Sequence, residues 1–383
     1  MSEFTFRTAG ESHGPALTTL IEGFPAGVRV DLDLMNHELR RRQGGYGRGG
    51  RMKIEHDAVT VLAGVRRGVS TGMPIVLQII NRDSRLDEAP PLHRPRPGHA
   101  DFAGAMKWHS DDCRDVLERA SARETAARTA AGALAKLLLA DFGIAAVGFV
   151  CSIGEASATL PDAASGDVAA LVAARDANDM YTPDATAVEP MRAAIRAAKQ
   201  AGDTLGGVVE TRVFGVPPGL GSCASSQQKL DGRLMQAVGS IQAIKGVEIG
   251  LGFAAARLPG SQVHDALYFD AARPAAHTFG YYRNTNRAGG LEGGMTNGMP
   301  IVVRAAMKPI ATLMQGLDSV NLQTRAPERS DYERSDVCAV PACSVVVENV
   351  VAFEIARAFM DKFGGDTLRE IRAGWDIYVS GER

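Results

Sequence analysis

Aromatic side chains, cysteines, long apolar runs and an excess of charge of either sign are all scarce in this chain, and each shortage excludes a class of function. Aromatics are 6% of the residues and the formal net charge is −2, whereas single-strand nucleic-acid binders need stacking platforms on a basic groove. Nucleic-acid binding is therefore not expected. The most apolar stretch, residues 132–151, is broken by Lys136 and Asp141, so no segment reads as a membrane span. The first nine residues carry Glu3 and Arg7 in place of the apolar stretch of a signal peptide, which points to a cytoplasmic protein. The five cysteines, Cys113, Cys151, Cys223, Cys338 and Cys343, form an odd and scattered set; they read as reduced core thiols, with no disulfide framework. Cys338 and Cys343 lack both C-x-x-C spacing and a nearby histidine, so no zinc site is expected.

Glycine, by contrast, is plentiful: 42 residues, clustered between apolar segments in the manner of tight loops on a folded scaffold. Strand-like runs fall at 59–65, 74–80, 206–214 and 300–307. Helical periodicity is clearest at 33–42, 122–141, 188–201, 227–244 and 346–363. One passage repeats: Gly64 to Val76 and Gly290 to Val302 share glycines and end in the same Gly-Met-Pro-Ile-Val. A weaker echo links Gly23-Phe-Pro-Ala-Gly27 with Gly215-Val-Pro-Pro-Gly219. Two echoes in one order favour an ancient duplication, although Gly-Met-Pro before a strand is also ordinary turn chemistry. The expected architecture is a single α+β domain with antiparallel sheets and internal helices. Its halves span about 1–150 and 204–365, with a helical insert at about 155–203.

Basic and polar residues gather beside glycine in a few places. Gly10-Glu-Ser-His-Gly14 presents a histidine between glycines, either open to a ligand or simply in a surface turn. Arg40-Arg-Arg42 runs into Gly44-Gly-Tyr-Gly47-Arg-Gly-Gly-Arg51, a frame suited to clamping phosphate or carboxylate, or a solvated loop. Its literal G-x-G-x-x-G follows arginines rather than a strand, so the dinucleotide fingerprint does not apply. Arg94-Pro-Arg96-Pro-Gly-His99-Ala-Asp101 offers a second histidine with an acidic neighbour that could orient it. Ser121 with Glu124 is a capping-box pattern opening an alanine-rich helix, flanked by Arg119 and Arg123, and such an end attracts phosphate. Gly289 to Gly298 is another backbone-exposing loop, and Lys308-Pro309-Ile310-Ala311-Thr312 offers a cation and a hydroxyl after a strand. No Walker spacing is present. Asp331 and Asp336 sit in duplicated Glu-Arg-Ser-Asp runs, each able to serve as a catalytic carboxylate or a loop ion-pair partner.

In order and spacing, Gly10 to Gly14, Arg40 to Met52, Arg96 to Asp101, Arg119 to Thr125, Gly293 to Gly298, Lys308-Pro309 and Glu333 to Asp336 resemble the chorismate synthase family over nearly the whole chain. The resemblance implies a carbon–oxygen lyase of the shikimate pathway. Its substrate is 5-enolpyruvylshikimate-3-phosphate, which loses phosphate and a ring proton in an anti-1,4 sense with no net redox change. Reduced FMN is implied as cofactor, with NADPH used only by bifunctional members and a separate flavin reductase serving the others. The implied fold is a β-α-β sandwich with internal helices between two antiparallel sheets, assembled as a homotetramer.

Residue by residue, His13 is similar to the family histidine beside the departing phosphate, His99 to the one at the flavin N1 edge, and Asp336 to the carboxylate relaying a proton through N5. Asp336 is thereby preferred over Asp331. Arg42, Arg48, Arg96, Arg123 and Arg334 resemble the substrate-binding arginines, and Arg42 and Arg48 also occupy the family's NADP positions. The flavin contacts carry over to Arg119, Ala120, Ser121, Gln242, Ala243, Gly293, Lys308, Pro309, Ile310, Ala311, Thr312 and Arg334. Two positions depart from the family: Ala120 stands where a serine is usual, and Gln242 where an asparagine is. A competing enzymatic reading, a flavin reductase or NADPH-dependent oxidoreductase, predicts NADPH oxidation without phosphate release.

Overall fold

The computed structural model describes residues 4–50, 54–164, 166–272, 276–333 and 335–381. Two antiparallel sheets carry the chain. The N-terminal sheet runs, edge to edge, Thr5–Ala9, Ala16–Glu22, Ile75–Ile80, Val59–Ala63. The C-terminal sheet runs Ile244–Ile249, Ile301–Met307, Gly207–Phe214, Ala145–Ile153, Ala156–Ser157. Alternation within Ile75–Ile80 buries Ile75, Leu77 and Ile79, so one face of that strand meets the core and the other does not. The mixed α/β class with antiparallel sheets thus agrees with the sequence reading.

Two helices fill the core. Thr125–Ala140 is an alanine-rich rod that packs on strands Ala16–Glu22 and Ile75–Ile80 of the N-terminal sheet. Val340–Phe363 packs on Ala145–Ile153 and Gly207–Phe214 of the C-terminal sheet. The two helices also pack on each other, so residues 340–353 are buried on every face and apolar apart from Ser344, Glu348 and Asn349. Their approach is very close: a Cβ on Gly132 would lie 2.2 Å from the Asn349 carbonyl oxygen. Pro341 sits in the first turn, where its missing N–H costs nothing. Gly364, at φ +58°, ends the helix. Beyond it, Thr367 and Glu370 form a reciprocal capping box that starts Leu368–Ser380, whose Trp375 closes over Phe142, Phe359 and Phe363.

Several sequence expectations need adjustment. The helix at 122–141 is a short 3-10 turn, Ala122–Glu124, followed by Thr125–Ala140. Ser121 caps that turn by accepting the Arg123 N–H at 3.2 Å, but Glu124 does not reciprocate, because its carboxylate is taken by Thr8, Arg128 and Gln242. The helix expected at 227–244 contracts to Leu230–Gly239, since Ile244 already opens a strand. The helix expected at 346–363 begins six residues earlier, at Val340. Strand Ala145–Ile153 escaped notice because an apolar run with no alternation carries no period of 2. Two helices do lie in the region of the insert, Val168–Asp176 and Val188–Gln200. Four cysteines are buried thiols, but Cys223 is exposed on a loop and is no part of the core.

The sequence echoes have geometric counterparts. Val65–Arg66 pairs with Val69–Ser70, and Leu291–Glu292 pairs with Met295–Thr296 in the same register. Gly64 and Gly290 take φ +83° and +78°, and a Cβ on them would lie 2.6 and 2.5 Å from the Pro74 and Pro300 carbonyl oxygens. Ser70 donates to the Pro25 carbonyl at 2.6 Å and accepts the Val28 N–H at 2.9 Å. Thr296 does the same to Pro217 and Leu220, at 2.6 and 2.8 Å. Ile21 lies opposite Ile75 as Val213 lies opposite Ile301.

A buried charge network ties the helices together. Glu348 accepts from both terminal nitrogens of Arg41 at 3.0 Å, from Arg175 at 3.2 Å and from the Gly148 N–H at 2.8 Å. Lys136 reaches both Glu348 and Glu38. Glu38 also accepts from Asn349 at 2.8 Å. Burial alone would raise the Glu348 carboxyl, but the surrounding cations outweigh it and hold it below the usual carboxylate range. Removing this one carboxylate leaves Arg41 and Lys136 to share Glu38 and Arg175 with Asp176 alone, an excess of buried positive charge. Glu348→Ala is therefore expected to cost about 3–5 kcal/mol, read as a lowered denaturant midpoint.

Candidate active site

A cavity of about 520 Å³ opens where the two core helices begin. Its wall takes Thr125 from one helix start and Ala342, Cys343 and Val346 from the other. Both helices thus point their partially positive ends at one volume. Arg42, Arg48, Arg85, Arg96, Arg123 and Lys308 supply cations to that wall, while Glu333 and Asp336 are its only carboxylates among the described residues. The overall charge of −2 conceals this concentration. A ligand with several negative charges suits the cavity, and its size is in the range of small-molecule sites.

His13 and His99 both line it. Each is held at Nδ1 by a buried carboxylate. Glu118 contacts His13 Nδ1 at 2.9 and 3.1 Å and accepts the His13 main-chain N–H at 2.8 Å. Asp101 holds His99 Nδ1, and also accepts from Arg96 Nε at 2.8 Å and Arg96 Nη2 at 3.1 Å. Burial pushes the Asp101 carboxyl up, but hydrogen bonds from His99 and Arg96 outweigh this and keep it ionised well below its ordinary range. Arg96 also donates to Thr312 Oγ1 at 3.0 Å, and its Nη2 lies 3.0 Å from His99 Nδ1.

Arg42 and Arg123 face each other across Asp57, which pairs with the first at 2.6 Å and the second at 2.6 and 2.8 Å. Glu55, also buried, lies 3.8 Å from the other Arg123 terminal nitrogen. Arg123 is further fixed by Asn81 at 2.9 Å. Arg48 pairs with Asp336 at 3.0 Å, and the Gly49 N–H donates to the other Asp336 oxygen at 2.5 Å. The arginine–glycine loop is thus laid against the Ser335–Cys338 segment, not free in solvent. Asp331 is held in an ion pair with Arg94 and is not on the wall.

Of the residues singled out by sequence, the wall brings together His13, His99, Asp336, Arg42, Arg48, Arg96, Arg123, Ala120, Ser121, Gln242, Ala243, Lys308, Ile310, Ala311 and Thr312. Arg119 turns away and donates to the Thr8 and Gly10 carbonyls at 2.9 and 3.2 Å. Pro309 is not on the wall, and Gly293 lies in the hairpin that bridges to Gly221. Arg334 lies outside the described residues, as do Arg51 and Met52. Burial, aided by the Lys245 cation, lowers the Lys308 ammonium from its ordinary value. The sequence reading missed Glu118 as a histidine partner and Asp57 altogether. The hydrogen-bonded partner of His13 is 105 residues away, and Asp57 belongs to no motif, so no local spacing could have found either.

Burial would raise the Asp57 carboxyl above its ordinary 3.8, but Arg42 and Arg123 outweigh it and the folded-state value is lowered. The unfolded chain therefore binds this proton first as pH falls, and the stabilisation present above about pH 4 is lost as pH drops through the folded-state value. Asp57→Asn is expected to lower stability at neutral pH and to flatten this acid limb, as measured by denaturant midpoints between about pH 2 and 7.

Comparison with known proteins gives a single answer. Residues 4–360 match the family described as chorismate synthase. The chorismate synthase of Desulforamulus reducens is 55% identical over 381 aligned positions, covering 96% of each chain. That of Geobacter metallireducens is 53% identical, covering 98% of each. A crystal structure of chorismate synthase superimposes with a TM-score of 0.82 at 40% identity, covering 100% of this chain and 98% of the other. With its sheets, its core helices and its cation-lined cavity in view, the chain belongs to the chorismate synthase family.

Proposed function

We propose that this chain is a lyase that converts 5-enolpyruvylshikimate-3-phosphate to chorismate by anti-1,4-elimination of phosphate, the last common step of the shikimate pathway. The observation that carries the reading is that His13 and His99, far apart in sequence, open onto one cavity ringed by six cationic side chains. Arg42, Arg48, Arg96 and Arg123, with Arg334 by resemblance, bind the phosphate and carboxylates of the substrate. Guanidinium groups suit this because they offer paired N–H donors to planar or tetrahedral anions. His13 as imidazolium donates a proton to the departing phosphate. The C–O bond to phosphate breaks, a ring proton leaves, and a second ring double bond forms, so atoms and electrons balance without net redox. Asp336 is the carboxylate assigned to accept a proton, and its pairing with Arg48 keeps it oriented.

Reduced FMN fits the same cavity. Gln242 Oε1 and Arg123 Nη2 are buried there without hydrogen-bond partners, polar atoms that a bound group would satisfy. Ala120, Ser121, Gln242, Ala243 and Lys308 to Thr312 would hold it, with Arg119, Gly293 and Arg334 added by resemblance. When bound, reduced FMN supplies electron density to the substrate ring as phosphate departs. His99, oriented by Asp101, balances negative charge at its side of the pocket. Ala120 removes one hydroxyl that the family usually offers, and Gln242 reaches further than the usual asparagine.

The matched hairpins and strand registers support an internal duplication of halves at about 1–150 and 204–365, with 155–203 inserted, as one domain. The packing of the two core helices between the sheets supports the β-α-β sandwich. Assembly as a homotetramer, residence in the cytoplasm and reliance on a separate flavin reductase complete the reading. Arg42 and Arg48 are the positions for NADPH if the chain reduces its own flavin. No helix among the described residues is long and apolar enough to cross a membrane.

The deciding experiment is phosphate release from 5-enolpyruvylshikimate-3-phosphate under anaerobic conditions with dithionite-reduced FMN. Steady NADPH oxidation with no phosphate released would favour a flavin reductase instead. His13→Ala and His99→Ala are each expected to lower turnover by roughly ten- to several-thousand-fold; activity within about twofold of the parent would remove the assigned role. Arg48→Ala is expected mainly to raise the half-saturation concentration of substrate, checked by steady-state kinetics.

A further inference from the structure

We propose that Glu118 is a positioning residue for His13, one that fixes which ring nitrogen faces the substrate. The proposal rests on the acid role of His13 above, and extends it to a side chain with no previous assignment. Glu118 engages His13 at both ends: its carboxylate meets Nδ1 at 2.9 Å and the main-chain N–H at 2.8 Å. Its own main-chain carbonyl accepts the Ser12 N–H at 3.0 Å. The Ser12–His13 turn is thereby docked onto helix Arg114–Ala120 through three contacts to one residue.

The carboxylate is almost fully buried, with 1% side-chain exposure. Burial raises its carboxyl, but the His13 hydrogen bonds and the Arg114 cation outweigh this and hold it ionised below its ordinary value. An ionised carboxylate only accepts, so the proton on Nδ1 belongs to the histidine and Nε2 is left for the substrate side. Arg114, at 3.3 Å from Glu118, is itself tied to the Pro90 carbonyl at 2.7 Å and to Glu333 at 3.1 Å. The charged groups around the His13 ring are Glu118 at Nδ1, Asp83 at 3.8 Å from Nε2, Arg85 paired to Asp83 at 3.1 Å, and Arg114 behind Glu118. Glu118 is the member in direct hydrogen-bond contact with the ring.

Glu118→Gln keeps the size of the side chain and an oxygen for Nδ1–H while removing the charge. It is expected to lower kcat by roughly tenfold to a thousandfold with KM changed less than about threefold. In a His13→Ala background the same substitution should change kcat by less than about twofold, because its effect passes through the ring. An independent reading needs neither variant nor cofactor: 15N spectra of histidine-labelled parent protein should show the neutral His13 ring protonated at Nδ1. A ring protonated at Nε2, or a Glu118→Gln enzyme whose kcat matches the parent, overturns the proposal. A fully active His13→Ala enzyme that accompanies an Nδ1–H ring in the parent overturns the acid role itself, and with it the catalytic consequence assigned to Glu118.

Discussion

The approach of two helix backbones at Gly132 and Asn349 is the constraint on which the site depends. Thr125–Ala140 and Val340–Phe363 touch so closely there that a Cβ at position 132 would penetrate the Asn349 backbone. Alanines along the first helix and the small and β-branched residues of the second allow contact over much of their length. Because each helix also rests on its own sheet, the contact sets how the two sheets stand to one another. It also brings both helix starts to one cavity, along with the segments that precede them: Ser121 to Arg123 before the first and Ser335, Asp336 and Ala339 before the second.

Charge in this protein is arranged in two shells with different duties. Around Glu348 and Glu38, cations and carboxylates satisfy one another in the interior and leave nothing for a ligand. One residue further along the same helix, Arg42 points to the cavity, where Asp57 is shared between it and Arg123. Buried pairs contribute little net stability when they replace apolar packing, but breaking one is costly. The inner network is better understood as fixing the rotation of helix Leu32–Gln43, so that Arg41 faces inward and Arg42 faces the cavity. The site's excess of cations is thus held by a neutralised framework that cannot easily turn.

The histidines show the same division of labour. Both are presented by glycine-flanked turns and both are gripped at Nδ1 by a carboxylate with under 3% side-chain exposure. Asp101 is two residues from its histidine, whereas Glu118 comes from 105 residues away. The first pair was therefore visible in sequence and the second was not.

By itself, the sequence determined the strand and helix types where the period was clear, the repeated turn at Gly64 and Gly290, the histidine and arginine motifs, and the family they resemble. These are local properties: a turn needing glycine, a proline before a strand, or a histidine two residues from an aspartate leaves its mark within a dozen residues. Tertiary structure alone decided that Glu124 abandons its capping role for Thr8 and Gln242, that Cys223 is exposed, and that Asp57 and Glu118 serve the site. Each of those outcomes turns on a partner tens to hundreds of residues away, or on burial, and neither is encoded in the spacing of neighbours along the chain.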